Sequence, residues 1–182
     1  GSVKYWDILI YNYLRERNIV IPQKVAHEKA EKFEGAYVKE PLVGMHKWVM
    51  SFDLNSLYPH LIMQYNISPE TLVPSEPVTG LVDKLLAGKA SNPTEHCMTP
   101  NGAFFRKDKR GFLPEIMETM YNDRTKYKKL MLQASQEYGN TKDPKLLKDI
   151  SKYNNIQMAK KISLNSAYGA IGNNYFRYFD LM

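Results

Sequence analysis

Among 182 residues there is one cysteine, Cys97, so the chain can close no disulfide of its own and a reducing compartment is expected. No apolar run approaches the roughly 18 residues that a membrane-crossing helix needs. Lys4, Asp7, Arg15 and Arg17 interrupt the opening stretch, which does not read as a signal peptide, and Gly1-Ser2 reads as a cloning remnant. There is no internal repeat and no low-complexity tract. The four histidines, His27, His46, His60 and His96, lack metal-ligand spacing, and the lone His96-Cys97 pair predicts no zinc site. What is present suits a folded domain: 43% hydrophobic, 12% aromatic and 24% charged residues of mixed sign, a composition that excludes wholesale disorder.

The net charge is +6, and its placement says more than its size. Between Arg106 and Lys161 there are 14 Lys/Arg against 7 Asp/Glu, so the whole excess sits in one third of the chain. That concentration suits a polyanion, either nucleic acid or a phosphate-rich ligand, although a solvated helical surface would look the same by charge alone.

Residues 5–17 carry apolar side chains on most faces and predict a packed helix. Trp48, Met50 and Phe52 alternate with polar neighbours over 47–53, the period of a strand with one apolar face. After Asp53 the spacing of Leu57, Leu61, Ile62 and Tyr65 turns helical, with Pro59 in the first turn. Residues 66–96 read as a surface excursion with one short helix near Leu81–Leu86. Asn101-Gly102 signals a turn, and a small hairpin is expected between it and Phe112-Leu113. A long helix is expected from Pro114, with a seam at Met117, Met120, Arg124, Tyr127, Met131, Ala134 and Tyr138, spaced three and four apart. Gly139 predicts its C-cap, Asp143 the next N-cap, and Pro144 the start of a second helix to about Gly169. Together these predict an antiparallel hairpin about 30–35 Å long.

Arg124 is out of place on an apolar seam. With the turn near 142–143, Arg124 lies level with Lys161, and Lys128 is one turn nearer the tip. Lys161, Asn165 and Tyr168 form one stripe on the second helix, with Gly169 beside it. Two or three cations facing one another repel unless an anion lies between them, and a triphosphate fits that role. Equally, the long side chains could reach water or pair with Asp123 and Glu118. Asp53, at a strand end before a helix, is open to two readings as well: an N-cap, or a carboxylate facing a cleft and holding a divalent cation.

Asp53-Leu54-Asn55-Ser56-Leu57-Tyr58-Pro59 resembles the D-x-x-S-L-Y-P motif A of family B DNA polymerases. Lys161-x-x-x-Asn165-Ser166-x-Tyr168-Gly169 resembles their motif B, in the right order, and Arg124 and Lys128 resemble the R-x-x-x-K positions between them. The likeness runs almost end to end. The stretches Gly35–Pro41, Asn66–Thr71 and Gly172–Arg177 resemble the T-even-type bacteriophage branch in particular. One departure is Phe33, where the family often has the tyrosine of a Y-x-G-(G/A) motif; Gly35 and Ala36 keep the rest of it.

The resemblance implies an α+β fold: a partial palm, with antiparallel sheet and helices, plus a fingers subdomain of two long antiparallel helices. The implied division is a linking segment at 3–44, palm at 45–113, fingers at 114–172 and a return toward the palm from 173. It implies nucleotidyl transfer with two Mg2+ ions, held by the Asp53 carboxylate and the Leu54 backbone carbonyl. Amides around Ser56, Leu57 and Tyr58 would face the phosphates, and Tyr58 would act as a steric gate against a 2′-hydroxyl. Arg124, Lys128, Lys161 and Asn165 would hold the dNTP, Tyr168 and Gly169 would back the nascent base pair, and Gly35 and Ala36 would contact DNA. Implied partners are primer–template DNA, a dNTP and the remainder of the polymerase, in the cytoplasm of an infected bacterium. No Asp-Thr-Asp-Ser-type motif C occurs before Met182, so the chain alone is expected to be inactive. A strand at 47–53 without neighbours would invite self-association. A non-catalytic nucleic-acid-binding module, gripping phosphates with the basic hairpin, is the alternative.

Overall fold

In a computed structural model of the chain, the residues described are 1–25, 37–75, 81–89 and 95–179. Gly35 and Ala36, with Phe33 and Glu34, lie outside them. The first helix, α1 (Ser2–Glu16), buries Trp6, Ile10 and Leu14, four residues apart and therefore on one face. That face lies against the long helix α5 (Lys145–Ile171), and it shares one core with Leu164, Ala167 and Ala170 of that helix and with Ile116, Met117 and Met120 of a second long helix, α4 (Phe112–Thr141). The Trp6 indole N–H donates to Ser166 Oγ at 3.2 Å, so the largest buried ring also satisfies its one polar atom. Between these helices in sequence come α2 (Leu57–Tyr65), α3 (Leu81–Leu86) and a three-stranded antiparallel sheet. Its strands are β1 (Leu72–Val73), β2 (His96–Met98) and β3 (Phe104–Arg106), in the order β1-β3-β2. Helices plus a small antiparallel sheet make the fold α+β. No helix among the described residues is long and apolar enough to cross a membrane.

Four expectations need correcting. Residues 47–53 form no strand: Trp48, Met50 and Phe52 are 96%, 78% and 85% exposed. A strand exists only through its hydrogen-bonded neighbour, and no described segment lies alongside to supply one. The hairpin is built from β2 and β3 around Asn101-Gly102, while Phe112-Leu113 already belongs to α4. Gly139 does not cap α4. The helix runs on to Thr141, and Lys142 takes the left-handed conformation at φ +56°, donating its N–H to the Tyr138 carbonyl at 2.9 Å. The connection is thus shorter than expected, and the N-cap of α5 is Pro144, not Asp143, so that the helix begins at Lys145; Asp143 Oδ1 accepts from the Lys145 N–H at 2.9 Å.

The fourth correction concerns 66–71, which is no surface excursion: Asn66, Ser68 and Thr71 are buried. Asn66 sits at φ +56° after α2, and its side-chain amide donates to the Arg106 and Lys109 carbonyls, while its Oδ1 accepts from the Gly111 N–H at 2.9 Å. The Phe112 N–H donates to Glu70 Oε1 at 2.6 Å and the Leu113 N–H to Ser68 Oγ at 3.3 Å. Gly111 has no side chain to cap α4, and room for one is lacking: an added Cβ would lie 2.5 Å from that of Ser68. The orphan donors of α4 are satisfied instead by a loop some forty residues earlier.

The pairing fixes a register between α2 and α4. Running antiparallel, they place Asn66 at Gly111, the His60 ring 4.7 Å from that of Tyr121, and Ser56 at Arg124. At the other end of the core, the Tyr178 hydroxyl is buried with no partner among the described residues, and burial pushes its pKa up to about 12. A raised phenol contributes stability that is complete below pH about 10, the ordinary tyrosine value, and is lost as pH rises toward 12. Tyr178→Phe removes an orphan that costs about 1–3 kcal/mol. The variant should therefore melt no lower than the parent at pH 7 and show a shallower fall in stability above pH 10, followed by circular dichroism. A clearly lower melting temperature at neutral pH would show that the hydroxyl has a partner that holds it.

Candidate active site

The cleft begins where the exposed segment 42–55 turns into α2. Ser56 takes φ +53° there and is the N-cap, but its hydroxyl does not cap the helix. It accepts instead from Arg124 Nη1 at 3.1 Å. The Ser56 carbonyl accepts from the His60 N–H at 3.1 Å and from His60 Nδ1 at 2.9 Å. Pro59 has no N–H, so the Leu57 and Tyr58 amides are the donors of this first turn without an acceptor inside the helix. They lie at the positive end of the helix dipole, where negative charge is favoured.

One cleft of about 510 Å³ is walled on one side by Asp53, Leu54, Asn55 and the first turn of α2, and on the other by Arg124 of α4 and by Lys161 and Asn165 of α5. The level pairing expected for Arg124 and Lys161 is met. Lys160 Nζ to Asp123 Oδ2, at 2.6 Å, ties the two helices together at the same height. That bond also closes one open question. Asp123 is taken by Lys160 and Glu118 by Arg110, at 3.1 Å, so neither carboxylate neutralises Arg124 or Lys161. Arg124 Nε is buried and has no hydrogen-bond partner among the described residues. Lys161 and Asn165 are exposed to the cleft.

The carboxylate of Asp53 is exposed and lines the opening; it is not an N-cap, since that position belongs to Ser56. It stands at the end of an unpaired segment, not of a strand. A carboxylate and the neighbouring Leu54 carbonyl are the hard oxygen donors that magnesium takes, so the chemistry fits; the number of ligands does not complete a site. No group of three or more His, Cys, Asp or Glu side chains that could hold a metal occurs among the described residues. Any ion held by Asp53 would draw its other ligands from a bound phosphate, water or another segment.

Tyr58 and Tyr168 meet face to face, with ring centroids 4.5 Å apart and planes 6° from parallel. Gly169 is exposed, and an added Cβ there would meet nothing within 4 Å. Lys128 is exposed and does not line the cleft, so the structure does not bring it to the other cations. Asn55 and Pro59 line the cleft without having been singled out; both lie inside the run from Asp53 to Pro59, which was the available signal. The pairing of Ser56 with Arg124 spans 68 residues and left no mark in the sequence.

Comparison with known proteins identifies the family. The family model described as DNA polymerase family B matches residues 2–179. The DNA-directed DNA polymerase of Escherichia phage RB69 is 34% identical over 223 aligned positions, which take in all of this chain and 24% of the relative. That of Enterobacteria phage T4 is 32% identical over all of this chain and 25% of its own length. DNA polymerase 1 of Pyrococcus abyssi is 33% identical over 94% of this chain and 20% of its own. Among solved structures, the family B DNA polymerase of Pyrobaculum calidifontis shares the fold, with a TM-score of 0.67 at 24% identity over 99% of this chain and 21% of that one. The chain thus spans about a quarter of the length of the phage relatives it matches. With a family match over nearly its whole length, the chain belongs to DNA polymerase family B.

Proposed function

We propose that this chain is the palm–fingers portion of a DNA-directed DNA polymerase and that the cleft holds the incoming dNTP. The observation that carries the proposal is the sharing of one cleft by Asp53, Arg124 and Lys161, with neither cation neutralised by the carboxylates nearby. A triphosphate suits the space: the Leu57 and Tyr58 amides approach it from the helix start, Arg124 offers a planar fork, and Lys161 offers a compact charge on a flexible stem. Asn165 lies one turn beyond Lys161 and adds a neutral hydrogen-bonding group. Lys128, a turn outward, would join the grip only when the hairpin tilts toward the cleft. Tyr58 lies where a sugar would rest above the first turn of α2 and excludes a 2′-hydroxyl by bulk. Tyr168 and Gly169 face the nascent base pair, and Gly35 and Ala36 touch the DNA backbone.

Magnesium, held by the Asp53 carboxylate and the Leu54 carbonyl, would lower the charge on the triphosphate and activate the primer hydroxyl. Asp53 suits that role by its exposure at the lining of the cleft. Primer–template DNA and the remainder of the polymerase complete the partners, the latter also covering the apolar residues of 42–52. The other acid that two ions require does not come from a cluster among the described residues. We expect the 182-residue chain alone to leave a primer unextended; templated incorporation would contradict this.

Binding tests the cleft directly. In the presence of magnesium, Arg124→Ala and Lys161→Ala should each weaken dNTP affinity about tenfold or more, the worth of a charge-assisted hydrogen bond. Primer–template affinity should change far less. Asp53→Asn should reduce the magnesium dependence of dNTP binding and spare DNA binding. Equal losses toward dNTP and DNA would instead favour a module that grips the nucleic-acid backbone without catalysis.

A further inference from the structure

Tyr58 is the second residue of α2, and this position has a consequence for its ring. In a helix interior a side chain leans on the turn that precedes it, toward the N-terminus. At the helix start there is no preceding turn. The approach segment 52–55 is exposed, so it gives little to lean on, and Tyr58 itself is 38% exposed. The ring finds its support on another element. Tyr168 of α5 lies parallel to it at 4.5 Å between centroids, the closest ring pair in the described structure and the flattest.

The support is firm because Tyr168 is anchored from behind. It stands between Ala167 and Ala170, which are 1% and 0% exposed in the core, and one turn after the buried Leu164. Ser166, two residues before it, accepts the indole N–H of Trp6. At this height the α5 backbone is held by the core, whereas the segment before Tyr58 is exposed. The two rings are about equally exposed, at 38% and 37%, so what Tyr168 offers Tyr58 is a ring face on an anchored backbone.

We propose that Tyr168 is a positioning residue for sugar selectivity: by stacking, it holds the Tyr58 ring in the orientation that excludes a ribonucleotide. The inference rests on the reading of the cleft as a dNTP site and adds to it a second residue that governs which sugar enters. Tyr168 acts on the sugar through Tyr58 and through the ring face, not its hydroxyl. The triphosphate grip, made by Arg124, Lys161 and the α2 amides, does not depend on the stack. Removing the stack should therefore change the ratio of affinities for the two sugars more than it changes deoxynucleotide affinity.

The test uses the 182-residue chain with magnesium and two fluorescent probes, 2-aminopurine deoxyribonucleoside triphosphate and its ribonucleoside counterpart. Because the base is common to both, the ratio of the two dissociation constants isolates the sugar. The parent should prefer the deoxynucleotide. Tyr168→Ala should lower that preference about three- to tenfold, the scale of one aromatic pair, chiefly by admitting the ribonucleotide. Tyr168→Phe keeps the ring face and should retain the preference. Tyr58→Ala should lose it, and adding Tyr168→Ala to Tyr58→Ala should change the ratio no further, as expected of a residue acting through another. Should the alanine variant fail to fold, Tyr168→Leu, of larger volume and without a ring face, carries the same comparison. The inference is overturned if Tyr168→Ala or Tyr168→Leu keeps the parental ratio while Tyr58→Ala loses it, or if Tyr168→Phe loses as much as alanine. A parent that binds neither probe overturns the nucleotide-site reading, and this inference with it.

Discussion

The start of α4 is closed by side chains it does not own. Glu70 and Ser68 accept its first two free N–H groups, and Asn66 ties the preceding turn to the end of α2. An N-cap is worth about 1 kcal/mol in stability, but here its geometric effect is greater than its energy. The clamp fixes the C-terminal end of α2 against the N-terminal end of α4. Two rigid helices pinned at one end and running antiparallel then have one register, and that register sets Ser56 beside Arg124. Asp53 takes its place from that register by way of Ser56, because the segment before Ser56 is exposed.

The electrostatics follow from which carboxylates are already engaged. A seam arginine is tolerable when an acid on the neighbouring helix pairs with it, and Asp123 and Glu118 are near enough to be candidates. Both are committed elsewhere, to Lys160 and Arg110. The result is a pair of cations facing an exposed acid across a cleft, with a buried guanidinium N–H left without an acceptor. The unpaired buried N–H costs free energy, and two unneutralised cations at one opening favour negative charge there. Beside it, the stacked tyrosines add shape to the charge and link the core of α5 to the cleft floor.

What could be read from the sequence was what depends on local period. The helices α1, α2, α4 and α5 announce themselves through apolar spacing, and α3 falls at Leu81–Leu86, where it was expected. Level placement of Arg124 and Lys161 followed from counting residues on either side of a turn. Interactions that need a distant partner left no such trace. The alternation of Trp48, Met50 and Phe52 is genuine, yet a strand needs a hydrogen-bonded neighbour, and alternation alone makes none. The stretch Asn66–Thr71, rich in polar residues and proline, looked like solvent-exposed loop because its acceptors serve α4, more than forty positions away. Gly139 failed as a helix stop because one more turn of backbone hydrogen bonds outweighed its preference for a cap.

The central claim is spatial: one nucleotide with its metal ion occupies the space between Asp53, the start of α2 and the two cations. Manganese in place of magnesium makes this directly observable, because a bound paramagnetic ion broadens the amide resonances nearest to it. With dNTP and manganese added to the isotope-labelled chain, the amides of residues 53–58 should broaden first, followed by those near Arg124 and Lys161, while those of the hairpin tip at 141–145 stay sharp. Broadening that is strongest at the tip, or spread evenly along the basic helices, would contradict the account.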